Sequence, residues 1–172
     1  MTTIKSIIFI IVLPGAVMVY APYYLLSLNI ELFFPDINVF RFIGLIPISI
    51  GAAIILWCLW DFIYSGKGTP APIDPPKNLV VKGLYRLTRN PMYVGVLFVL
   101  FGEILLFEST VLIIYSFFVW ILFNSFVVFY EEPTLKDKFG HSYEQYIDLV
   151  PRWLPDINLL IETLKSKTDK II

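Results

Sequence analysis

Long uncharged, largely apolar runs separate short charged clusters along this chain. No charged residue lies between Lys5 and Glu31, between Arg41 and Asp61, or between Glu108 and Glu131. Each gap is close to the roughly 20 residues a helix needs to cross the hydrocarbon core. A fourth apolar stretch, from Pro91 to about Phe107, is interrupted only by Glu103. The pattern predicts four transmembrane helices, over about 5–27, 40–64, 91–107 and 110–130. Unpaired backbone groups cannot face lipid, and runs of this length do not suit barrel strands, so the spans are expected to be helical. Residues 132–149 keep helical spacing, with Leu135, Phe139, Tyr143, Tyr146 and Ile147 opposite Lys136, Asp137, Lys138 and Glu144. That spacing predicts a C-terminal amphipathic helix, packed on a loop or lying in the interface. The expected fold class is an all-α polytopic membrane protein.

Local signals refine the spans. Pro14-Gly15 and Pro47 are candidate kinks. Gly44 and Gly51, with Ala52 and Ala53, would let another helix approach closely. Residues 66–76 carry four prolines and read as an extended, rather stiff spacer. Leu79-Val80-Val81 returns to apolar character, and Gly83 can supply a positive φ for a turn. Asn90-Pro91 is a strong helix start, because Asn caps and Pro suits the first turn. The third span would then present free N–H groups, which favour an anion, at the membrane surface.

Composition agrees with the pattern. Of 172 residues, 58% are hydrophobic and 16% charged, against about 25% charged in soluble domains. A single membrane domain over 1–172 is expected, with no separate soluble domain and no cleavage pattern of small residues after the first run. Lys67, Lys77, Lys82, Arg86 and Arg89 follow the second span, and Lys136, Lys138 and Arg152 follow the fourth. By the positive-inside rule both termini and the basic loop lie on the cytoplasmic side. The basic loop can meet anionic membrane lipids. The net charge of −1 says little about partners; no nucleic-acid partner is expected, and the oligomeric state is left open. Cys58 reads as a small buried hydrophobe. His141 is the sole histidine, so no metal site is expected.

The chemistry-bearing residues gather at one membrane surface. Glu131 and Glu132 would end the fourth span, where they oppose its dipole, and a ligand ammonium would relieve this. Tyr85, Arg89 and Tyr93 flank the start of the third, and Arg89 and Tyr93 could share a face if that helix began early. Together the set offers carboxylates for an ammonium, N–H groups for a carboxylate and aromatic faces for a soft cation. S-adenosylmethionine carries all three. Glu103 lies about one turn from the outer end of its span and is an intramembrane ionisable group. The chain has no dinucleotide fingerprint, phosphate-binding loop or His-Glu-x-x-His element.

The order Leu79-Val80-x-x-Gly83-x-Tyr85-x-x-x-Arg89-Asn90-Pro91-Met92-Tyr93, then Glu131-Glu132, Phe139-Gly140, Tyr143, Tyr146 and Pro151-Arg152-Trp153-Leu154-Pro155, resembles the isoprenylcysteine carboxyl methyltransferase and phospholipid methyltransferase family of integral membrane enzymes. The likeness covers roughly residues 77–155. It implies S-adenosylmethionine as cofactor, held by 77–93 and 131–155 on the cytoplasmic side. Carried over by position, Leu79, Val80, Gly83 and Tyr85 line the cofactor pocket. Asn90-Pro91-Met92-Tyr93 matches the family's His-Pro-x-Tyr element, and Glu131, with Glu132 beside it, holds the amino group. Arg89, Tyr93 and Glu131 are the candidate catalytic residues. A lipophilic methyl acceptor would enter from the bilayer: a prenylcysteine-like carboxylate, a phospholipid amine, or another lipid or thiol. Two departures stand out. Asn90 replaces the family's histidine, and residues 124–130 lack the arginine that prenylcysteine enzymes place before the glutamates. Other readings are an NADPH-dependent lipid or sterol reductase and a non-catalytic membrane scaffold.

Overall fold

The computed structural model describes residues 12, 14–30, 34–61, 79 and 81–154. Val80, Pro155, the proline-rich stretch 66–76 and the start of the first expected span lie outside them. All regular structure among the described residues is helical. A π turn, Ala16–Tyr20, leads into α1 (Ala21–Ser27). A 3-10 segment, Asn38–Gly44, leads into α2 (Leu45–Asp61). A short 3-10 turn, Gly83–Arg86, precedes α3 (Pro91–Phe107). α4 (Thr110–Phe126) passes through a π segment, Val127–Glu131, into α5 (Glu132–Phe139), and α6 is His141–Leu149.

Two of these rods, Asn38–Asp61 with 24 residues and Thr110–Phe139 with 30, are long and apolar enough to cross a membrane. Ala16–Ser27 and Pro91–Phe107 are shorter apolar helices. At 1.5 Å per residue α3 is about 26 Å long, just under the roughly 30 Å hydrocarbon core. The rods point large apolar side chains outward: Leu56, Trp57, Phe117, Phe118, Leu122 and Phe129 are all exposed. In water such a surface would aggregate; in a bilayer it meets lipid.

Small residues hold the centre together. Gly44 and Gly51, a heptad apart, face Gly102 and Gly95, a heptad apart on antiparallel α3. A Cβ on Gly51 would stand 2.5 Å from the Gly95 carbonyl oxygen, and one on Gly102 would collide with the Gly44 carbonyl. Backbones can therefore pack against backbones, the source of contact energy left once lipid removes the hydrophobic drive. Ala52 and Ala53 play no part in this seam and are exposed. Ile55, Val96, Val99, Leu100 and Val119 fill the space beside it.

The α3–α4 hairpin turns in two residues. Glu108 ends α3 at φ 51°, and Ser109 caps α4 by accepting from the Leu112 N–H at 3.4 Å. Glu108 Oε1 also accepts the Ile37 N–H at 3.1 Å, tying this turn to the start of the second rod. Tyr115 donates to the Val17 carbonyl in the first π turn at 2.9 Å. That turn begins directly after Pro14-Gly15, the candidate kink.

The fourth span was expected to end at Tyr130. The helix instead continues to Phe139, so Glu131 and Glu132 sit within a rod and not at its end. Pro133 explains the π segment: it has no N–H to return to the preceding turn, and its ring crowds the carbonyl four residues back. Widening the turn before it accommodates both, and Thr134 Oγ1 donates to the Tyr130 carbonyl at 2.6 Å. The polar tail forms two helices hinged at Gly140, whose φ of 52° favours glycine.

Gly51→Val should lower the unfolding free energy in detergent by about 1–3 kcal/mol, while Ala53→Val, on the exposed face, should change it little. Thermal melts of both variants check this, and equal losses would rule out the seam.

Candidate functional site

Two ion pairs close the polar end of the bundle. Glu132 sits between Arg89 and Arg152. Arg152 grips it with a fork, Nε to Oε1 at 2.7 Å and Nη2 to Oε2 at 2.9 Å. Arg89 Nη1 adds a third bond to Oε1 at 2.9 Å. The Arg89 and Glu132 side chains are only 9% and 16% exposed, so solvent screens this pair weakly. The bond from Glu132 holds the Arg152 guanidinium above its ordinary pKa. Fork geometry and charge make these strong hydrogen bonds.

The same segments are laced through the backbone. The Arg89 N–H donates to the Pro151 carbonyl at 2.9 Å. Thr88 Oγ1 and Asn90 Nδ2 both donate to the Arg152 carbonyl, at 2.9 and 3.1 Å. Thr88 and Asn90 are buried. Asn90 stands at the N-cap position of α3, as expected, but makes no side-chain cap. Its amide holds the tail instead, and Pro91 occupies the first turn, so Asn90 leaves the N–H groups that begin α3 uncapped. Arg89 precedes the helix and does not share its first face with Tyr93.

Glu131 has a different environment. Its Oε2 accepts from the Tyr93 hydroxyl at 3.0 Å. Among the described residues no cation is ion-paired with it. Consecutive residues on a helix diverge by about 100°. Glu131 therefore faces α3 while its neighbour faces the arginines. Tyr93 packs against Phe123 at 4.7 Å between ring centroids and meets Trp153 edge-on at 6.4 Å.

Tyr85 closes the other side. Its hydroxyl shares a hydrogen bond with the Cys58 thiol and lies near Glu131. Burial, with Cys58 and Glu131 nearby, pushes its pKa well up, so the hydroxyl stays neutral. The Tyr146 hydroxyl donates to the Tyr85 carbonyl at 2.6 Å. Tyr143 is pushed up to about 12 by burial and lies within hydrogen-bond reach of Arg89. Tyr143 and Tyr146 pack with Val150 and Leu79 beneath the tail.

Of the sequence-derived set, Tyr85, Arg89, Asn90, Tyr93, Glu131 and Glu132 converge. Leu79 joins the aromatic cluster of α6. Met92 packs on the apolar core. Pro91 lines an apolar groove. Gly83 turns at φ 55°, with the Asp61 carboxylate over its Cα where any side chain would collide. Glu103 is far along α3, beside Tyr115, and its Oε2 has no hydrogen-bond partner among the described residues. Sequence reasoning left out Arg152, Thr88 and Asn124 as site residues. Arg152 was visible as the basic residue in Pro-Arg-Trp; nothing in the pattern marked Asn124.

The groove holds about 460 Å³ and runs between α2, the 83–86 turn, α3 and α4. Ile54, Leu84, Val94, Phe98, Trp120 and Trp153 are among its walls. Phe98 and Trp120 in its walls are among the exposed apolar residues of the rods, and it reaches Thr88 and Pro91 beside the site.

A bundle that is helical throughout its described residues, lipid-compatible and closed at one end by a clamped cluster of polar side chains defines the class, and comparison with known proteins makes it specific. The profile of the phospholipid methyltransferase family matches residues 39–142, more than half of the chain, and the chain belongs to that family. It is 35% identical over 82 residues to protein-S-isoprenylcysteine O-methyltransferase B of Arabidopsis thaliana, covering 47% of this chain and 41% of that protein. It is 28% identical over 134 residues to a probable protein-S-isoprenylcysteine O-methyltransferase of Oryza sativa subsp. indica, covering 73% of this chain and 68% of the relative. The same figures hold for the corresponding protein of Oryza sativa subsp. japonica. The chain thus spans less than half the length of the Arabidopsis relative and about two thirds of the rice ones.

Glu132→Gln keeps the shape of the clamp and removes the charge that balances Arg89. Breaking a buried pair costs about 3–5 kcal/mol, and the partial exposure of Arg152 puts the expectation at the lower end. Denaturation in detergent should show the loss, whereas Glu144→Gln, in the exposed pair with Lys136, should leave the transition essentially where it is.

Proposed function

We propose that the chain is an integral membrane methyltransferase that uses S-adenosylmethionine, with pocket and termini at the cytoplasmic surface. The observation that carries this reading is the split between the two glutamates. Glu132 is neutralised by two arginines and serves as the clamp. Glu131 keeps a carboxylate bonded by one tyrosine hydroxyl and set beside aromatic rings, and so fits a ligand ammonium. The first turn of α3, which Asn90 does not cap, and the Arg89 Nε, unpartnered among the described residues, fit a ligand carboxylate. Tyr85 and Tyr93 offer ring faces to a sulfonium.

When bound, the cofactor supplies an electrophilic methyl group. The chain's own residues bind, orient and exclude water. Glu131 fixes one end of the ligand, the α3 start and Arg89 the other, and Tyr85 and Tyr93 bound the space between. The clamp keeps the tail closed over that space, and catalysis is then chiefly positioning and desolvation. The acceptor's apolar chain lies in the groove and brings its nucleophile to the pocket from the bilayer. Lys82, Arg86, Lys136 and Lys138 surround this end and favour the cytoplasmic leaflet.

For the acceptor, the plant relatives' names favour a prenylcysteine. A second reading, a phospholipid amine, has its own support: no basic residue lies in 124–130, and both arginines near the site are bound to Glu132. Incubation with radiolabelled cofactor, total lipid and prenylated peptides separates them by which fraction gains label.

Glu131→Gln should weaken binding of S-adenosylhomocysteine at least about tenfold, roughly 1.4 kcal/mol, in calorimetry on purified protein. Unchanged affinity in a folded variant would overturn the reading. Glu103→Gln should leave that affinity within about twofold, since Glu103 lies outside the pocket. Binding of NADPH in place of S-adenosylhomocysteine would point to the reductase class.

A further inference from the structure

Asn124 is a polar residue inside a lipid-spanning rod, and only half of its amide is used. Trp153 Nε1 donates to its Oδ1 at 3.1 Å. An indole N–H can only donate, so the amide atom that faces it is the oxygen. That fixes the flip of the side chain and turns Nδ2, with its two N–H donors, the other way. Nδ2 has no hydrogen-bond partner among the described residues, and the residue is half-buried. Donors left unbonded at membrane depth are costly. A hydroxyl would accept from the indole without leaving two donors over, so the surplus points to a ligand.

The surroundings place those donors where the groove meets the site. Trp120 lies four residues before Asn124 in α4, so the two share a helix face. Trp120 and Trp153 are both walls of the groove. Phe123, the next residue, packs on Tyr93, and Trp153 meets Tyr93 edge-on. The Tyr93 hydroxyl bonds Glu131. The amide thus stands where apolar walls give way to the Tyr93–Glu131 pair. The other polar groups nearby are already engaged. Thr88 Oγ1 and Asn90 Nδ2 bond the Arg152 carbonyl, and Arg89 and Arg152 bond Glu132.

We infer that Asn124 is a specificity-determining residue: its Nδ2 binds an anionic oxygen in the head of the methyl acceptor. Trp153 is the positioning residue that aims it. This rests on the methyltransferase reading for what occupies the groove. Both acceptor classes carry such an oxygen, in the carboxylate of a prenylcysteine or the phosphodiester of a phospholipid. A neutral amide suits this depth, because it recognises an anion without burying a charge of its own. A site built to hydrogen-bond a group rejects the analogue that lacks it more strongly than an apolar wall rejects a change of size.

The test uses the full chain in maltoside micelles and two pairs of ligands, each with and without the anion. One pair is the farnesyl thioether of N-acetylcysteine and that of N-acetylcysteamine, which lacks the carboxylate. The other is a dialkyl glyceryl ether of phosphoethanolamine and the matching dialkoxypropylamine, which keeps the amine without the phosphate. Wild type should bind the anionic member of one pair at least about tenfold more tightly, and the pair that shows the gap tells carboxylate from phosphodiester. Asn124→Leu, of similar volume, removes the donors and the bond to Trp153, and should abolish the gap. Trp153→Phe removes that bond alone and keeps a ring against Tyr93, and should narrow the gap less. If Asn124→Leu does not fold, Asn124→Ala carries the same comparison. No gap in wild type for either pair overturns the proposal, as does an undiminished gap in the Asn124 variant, or an equal loss in the Asn124 and Trp153 variants, which would make the amide only a latch for the indole. S-adenosylhomocysteine is titrated separately, and failure of wild type to bind it overturns the function itself.

Discussion

Three distant stretches of this chain meet on one carboxylate. Glu132 binds Arg89 from the entry to α3 and Arg152 from the tail, each about 3 Å or closer. Without that meeting the segment 83–90, the continuous rod and the tail would have no common point, and Tyr85, Tyr93 and Glu131 would not be held near one another. Burying these charges is expensive, and fork geometry with several bonds offsets the cost. An ion pair of this kind contributes more to defining one arrangement than to raw stability.

The clamp can act only because the rods beneath it are rigid. In lipid that rigidity comes from contact, and the four glycines let α2 and α3 approach until carbonyls nearly touch the opposing Cα atoms. The seam fixes where α3 begins relative to α2, and thereby where Tyr85 meets Cys58 and where Arg89 enters the clamp. Mechanical order thus runs from seam to helix start to pocket.

Much of this was legible in the residues. Apolar runs located the rods because a bilayer imposes a length, and α3 occupies the residues expected of it. Gly44 and Gly51 were readable as contact points, but their partners on α3 were not, since nothing local pairs one helix with another. The Arg-Asn-Pro turn and the glutamate doublet were readable as lying on one membrane face, and they are in contact. Their division of labour was not, because the division depends on a helix phase that Pro133 alters. Asn90 was read as a cap from its position, yet the buried Arg152 carbonyl competed for its amide and won. The groove and the Trp153–Asn124 bond were invisible because they join residues whose types are ordinary for a membrane helix.

The π segment has a consequence for how this rod tolerates length changes. Its hydrogen-bonded ring is one residue larger than that of a regular α-helix. Five residues wound this way turn through about the same angle as four at about 100° each. Losing one residue from 127–130 would therefore return the segment to α winding with Glu132 in much the same phase, at the cost of pressing Pro133 against the carbonyl four residues back. A deletion in the regular stretch Thr110–Phe126 has no such slack and would swing both glutamates by about 100°.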